Sequence, residues 1–221
     1  GSMSAHVGDA PTQLQGARCL GALADLGAAE RLVAFGAAGV GLATIEAHAK
    51  DPELVKEALT LLGHLAALPS GAESLRSAGG LDALVAAICE HPDDPKVRRA
   101  AQDLVALLSD DALVAATCAE LKRFAASVSG GVADPDLLEK IPLAAMKLGV
   151  LAMVPANVPR LAANDAATPM VGLMSAVAGF TPESMSGLDG LLETFGNALV
   201  ELEAGSEAFP VAAAAAACIE V

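Results

Sequence analysis

The chain has 221 residues, 54% of them hydrophobic but only 2% aromatic, with no Trp or Tyr and a formal net charge of −14. A core of Ala, Leu, Val and Met suits closely packed helices, whereas strands favour the β-branched and aromatic residues that are sparse here. Phosphate contacts need clustered Lys and Arg, so neither nucleic-acid binding nor docking on anionic lipid is expected.

In chain order, Gly1-Ser2-Met3 reads as a cloning scar, and the fold is expected from residue 4 to residue 221. His6 falls in an opening segment expected to be disordered. An acid or hydroxyl residue then stands just before a proline five times, at Asp9-Ala10-Pro11, Asp51-Pro52, Asp94-Pro95, Asp134-Pro135 and Thr181-Pro182. Such residues cap helix N-termini, and proline is tolerated in the first turn because its missing N–H had no partner there. Helices are therefore predicted to start near residues 11, 52, 95, 135 and 182.

Residues 28–65 and 71–108 repeat one phrase at an offset of 43. Glu30 falls on Glu73, Leu32 on Leu75, Gly36 on Gly79, Ile45 on Ile88 and His48 on His91. Ala58 falls on Ala101, Leu61 on Leu104 and Leu65 on Leu108. A fixed helical period of this length is the mark of a stacked α-solenoid. In the second copy a short helix is predicted over 72–77, ended by Gly79-Gly80. A second follows over 81–90, with Leu81, Leu84, Val85 and Ile88 on one face. A third follows over 94–108, with Val97, Ala101, Leu104, Val105 and Leu108 inward.

The phrase LRSAGGLDALVAAICEHPDDPKVRRAAQDLVALL resembles an armadillo repeat. That resemblance implies an all-α fold, a right-handed α-superhelix of about five complete or partial three-helix repeats over 4–221. Units ending near Leu26, Leu65 and Leu108 match well. From Asp111 to Leu151 no Gly pair separates the first two helices, so 111–128 reads as one helix packed through Leu121, Phe124 and Val128. Pro155, Pro159 and Pro169 mark a distorted joint. Residues 207–221 begin one more helix, with Ala212 to Ala217 as high-propensity filler.

The resemblance further implies that third helices line a concave groove. Aligned on the family's Leu-x-Asn-Leu phrase, the key position falls on Asp25, His64, Leu107, Val150 and Asn197. One Asn in five departs from the peptide-clamping pattern of import receptors. Residues four and eight earlier share a helix face. The candidate groove is then Lys56, Thr60 and His64; Arg99, Asp103 and Leu107; Pro142, Met146 and Val150; and Asp189, Glu193 and Asn197. It runs from mixed charge through an apolar middle to an acidic end, suiting a partner protein or peptide segment with apolar anchors and basic residues. Alternatively, Leu107, Met146 and Val150 are covered by a loop of the same chain.

His48 and His91 fall at the ends of second helices, where imidazole can satisfy terminal carbonyls. Zinc needs three or four converging ligands, and Cys89 with His91 offers two, so no metal site is expected. Cys19, Cys89, Cys118 and Cys218 form no CxxC, and three of them fall in apolar helical settings, which points to a reducing, cytoplasmic compartment. Motifs of hydrolases, nucleotide-binding loops and metalloproteases are absent, so neither catalysis nor a cofactor is expected. No uncharged apolar run reaches membrane-spanning length, so direct membrane insertion is not expected. The expected role is a protein-interaction scaffold or adaptor. The alternatives are a carrier for basic targeting peptides, and an oligomerising module of a cytoskeletal, ciliary or membrane-associated assembly.

Overall fold

The computed structural model describes residues 2–129, 135–166, 168–170 and 173. Thr181-Pro182, Asp189, Glu193, Asn197, Cys218 and the segment 207–221 lie outside the described residues. Asp134 does so too. The described residues are all-α, with no strand among them. They fall into two units, divided after Leu108.

The first unit contains α1 (Ser2–Ala5), α2 (Ala10–Leu23), a π-helical turn (Ala24–Ala28) and α3 (Ala29–Ala34). It continues through α4 (Ala37–Ala47), α5 (Pro52–Ala66), α6 (Pro69–Ser77), α7 (Gly80–Glu90) and α8 (Pro95–Leu108). One order therefore occurs twice: a short helix, a glycine turn, and two longer helices. Gly36 and Gly79 make the turns at φ of 75° and 79°, a left-handed backbone that costs other residues dearly. Asp51 caps α5 by accepting from the Glu53 and Leu54 amides, both at 3.1 Å. Asp94 caps α8 in the same way, from Lys96 at 2.8 Å and Val97 at 3.2 Å. Helix α6 starts at Pro69, earlier than the expected residue 72. Pro69 holds Leu68 extended, at φ −93° and ψ 136°, and itself enters the first turn.

Helix α5 is the centre of this unit. It packs against α2 on one side and α8 on the other, with α4 also against it. Leu54, Val55, Ala58, Leu59, Leu61, Leu62 and Leu65 are all at most 1% exposed. From α8, Val97, Ala101, Leu104, Val105 and Leu108 are buried as expected, while Ile88 on α7 is half-buried.

Counting from the prolines corrects one register. Ala17, Ala58 and Ala101 each stand six residues after Pro11, Pro52 and Pro95, and their exposures are 1%, 0% and 0%. The same count aligns Ala24 with Leu65 and Leu108, and Leu23 with His64 and Leu107. Leu26 is 83% exposed, so it does not close a unit, and Asp25 is not the counterpart of His64. The inward residues here include Ala17 and Gly21 of α2 and Ala24 at the start of the π-helical turn, too small to announce a core face in the sequence. The π-helical turn, with Gly27 at φ 89°, then carries Leu26 outward.

Met3 and His6 are part of the fold. Met3 is 8% exposed, and its side chain lies against Gly16. The buried Gln13 amide donates to the carbonyl oxygens of Met3 and His6, both at 2.8 Å. Thr44 Oγ1 donates to Gln13 Oε1 at 2.9 Å, so every polar atom in this buried cluster is partnered.

The second unit contains α9 (Asp111–Ser129), α10 (Pro135–Ala152), a 3₁₀ turn (Pro155–Asn157) and α11 (Val158–Ala163). Helix α9 is continuous, with Leu121, Phe124 and Val128 buried alongside Val114 and Cys118. It packs against α10 and α11. At the proline-rich joint Asn157 is fully buried. Its amide donates to Ser109 Oγ at 2.8 Å and to the Leu151 carbonyl oxygen at 3.0 Å, while its Oδ1 accepts from Arg160 at 3.2 Å. Arg160 also pairs with Asp111 at 2.8 Å.

Candidate functional site

Helices α5 and α8 bury one side against their neighbours and leave another open, and the expected groove residues of the first unit lie on that open side. Thr60, Arg99, Asp103 and Leu107 are exposed, and Lys56 and His64 are half-buried. Their charges are largely matched at home. Lys56 lies 3.4 Å from Glu57, and Arg99 lies 3.6 Å from Asp103. Leu107 keeps 43% of its surface in water although the same helix buries five apolar residues.

The proline count adds a third row that the sequence alignment missed. Gln15, Cys19 and Leu23 on α2 stand where Lys56, Thr60 and His64 stand on α5, and all three are exposed. Leu23 is 46% exposed, so two exposed leucines, Leu23 and Leu107, flank His64 at one level of the helices. The signal was available in the sequence as positions four, eight and twelve after each proline. Between α2 and α5, Arg18 pairs with Glu53, at 2.5 Å, and with Glu57, at 3.5 Å. These pairs are solvent-exposed and contribute little to stability.

His64 Nε2 lies 3.2 Å from Asp25 Oδ1. Nδ1 is buried without a hydrogen-bond partner. The residue thus faces one acidic neighbour and leaves Nδ1 unpaired on its inner edge.

In the second unit, Val150 is 5% exposed. It therefore does not belong to an open surface. Helix α10 is buried through Ile141, Ala144, Ala145, Leu148 and Leu151, and Val150 joins that buried set near the turn into Pro155. Met146 is half-buried. The Pro142 side chain, Asp189, Glu193 and Asn197 lie outside the described residues, so the apolar middle and acidic end of the expected groove are not seen.

His48 and His91 cap α4 and α7, but their imidazoles do not serve the last carbonyls of their own helices. His48 Nε2 meets the Val7 carbonyl oxygen at 2.6 Å, and His91 Nε2 meets that of Ala49 at 2.7 Å. His6 makes the same backbone turn. The amides of Asp9, Asp51 and Asp94 donate to the carbonyl oxygens of His6, His48 and His91 at 3.1, 2.9 and 3.2 Å. The spacing His-x-x-Asp, at 6–9, 48–51 and 91–94, carried that signal.

Among the described cysteines, Cys19 and Cys89 are exposed and Cys118 is buried. Burial pushes the Cys118 thiol up, which keeps it protonated and inert. Among the described residues no group of three or more His, Cys, Asp or Glu converges as metal ligands. No single described helix is long and apolar enough to cross a membrane.

A cleft of about 790 Å³ opens beside α2. Its lining includes Met3, Gly16 and Leu20 on one side and Leu32, Phe35 and Val40 on the other, with no charged residue among all its lining side chains. Phe35 is 79% exposed there. Comparison of the chain with protein-family models, with curated proteins and with solved structures finds no match.

Proposed function

We propose that this chain is a non-enzymatic protein-interaction module, an armadillo-like right-handed α-superhelix that holds a segment of a partner protein. The observation that carries the reading is the open face of α2, α5 and α8. Three side-by-side helices present matched rows, Gln15/Cys19/Leu23, Lys56/Thr60/His64 and Arg99/Asp103/Leu107. Their other faces are buried in one core. The twofold occurrence of the short helix, glycine turn and paired long helices supports the armadillo-like assignment.

The chemistry of the face defines the partner. Lys56 and Arg99 are already paired with Glu57 and Asp103, so a strongly charged ligand would have to break those pairs. Leu23 and Leu107 instead offer exposed apolar surface on either side of His64. A partner segment with apolar anchors and a hydrogen-bonding group between them fits this arrangement. Apolar anchors carry most of the energy of such contacts, with polar neighbours setting register.

The test is affinity capture with the wild-type chain and with a Thr60→Arg/Leu107→Asp variant, both sites being exposed. Proteins retained by the wild type and lost by the variant, with circular dichroism unchanged, are the expected result. Identical retained sets would contradict the reading.

A further inference from the structure

We draw no further inference here: the strongest candidate, the outer face of α10, where Leu143 is 39% exposed and Lys147 lies 3.6 Å from Glu120, is a helix face for which nothing in the structure shows what covers it.

Discussion

His91 Nε2 lies 2.7 Å from the carbonyl oxygen of Ala49, the residue that follows His48. His48 stands in the same relation to Val7, the residue that follows His6. Each imidazole therefore ties the end of one second helix to the turn before the preceding third helix, and the link recurs with the repeat. His91→Ala leaves that carbonyl without its donor and should cost about 1 kcal/mol, read as a lower urea midpoint. His6→Ala, at an exposed site, should stay within about 0.5 kcal/mol of wild type. Equal midpoints for His91→Ala and wild type would show that the link bears no load.

Two glycines make opposite predictions. A Cβ at Gly71 would fall 1.9 Å from the Leu65 carbonyl oxygen, so the backbone itself would have to move. Gly71→Ala should destabilise by about 1–3 kcal/mol, the range for overpacking. Gly63 lies in α5 with nothing within 4 Å of its Cβ position. Gly63→Ala should stabilise by about 0.5–1 kcal/mol, because alanine restricts the unfolded chain and suits a helix interior. Thermal or chemical denaturation of the two variants side by side checks both signs.

Leu104 and Leu107 stand three residues apart on α8, one 1% exposed and the other 43%. Leu104→Ala should cost about 2–5 kcal/mol through lost burial and the cavity left behind. Leu107→Ala should change stability by no more than about 0.5 kcal/mol. A midpoint for Leu104→Ala matching wild type would mean that the inward face of α8 is misassigned.

The caps set an acid dependence. The Lys96 amide first, and the Val97 amide second, hold the Asp94 carboxyl below the usual carboxylate range, and the Thr12 hydroxyl does the same for Asp9. A carboxyl whose folded pKa is depressed stabilises the fold above its ordinary value of about 4 and loses that contribution as pH falls through the lower folded value. Asp94→Ala should therefore be less stable than wild type at pH 7. The difference should shrink as both proteins are taken below about pH 4. A difference constant from pH 7 to acid would exclude the cap as its source.

The sequence was most legible where chemistry and spacing coincide. Pro52 and Pro95 follow capping aspartates, and Gly36 and Gly79 sit at left-handed turns, so the helices between them start and stop where their residues require. Periodicity placed Leu104, Val105 and Leu108 in the core because large apolar side chains mark a face. The repeat alignment failed around α2, where Ala17 and Gly21, with Ala24 of the π-helical turn, do the packing and Leu23 and Leu26 point outward. An alignment drawn to leucines slid by two residues there. Val150 was misplaced because α10 is apolar around much of its circumference, so its pattern singles out no outer face. His6 was missed because a turn stabilised by tertiary contacts, with Gln13 donating to its carbonyl, has no local helical signal.

The most direct measurement is hydrogen–deuterium exchange of the chain, free and with a captured partner bound. The account predicts slowed exchange on binding in peptides covering Pro52–Ala66 and Pro95–Leu108, where Thr60, His64, Asp103 and Leu107 form the open face. Protection confined to Asp111–Ala163, with α5 and α8 unchanged, would contradict it.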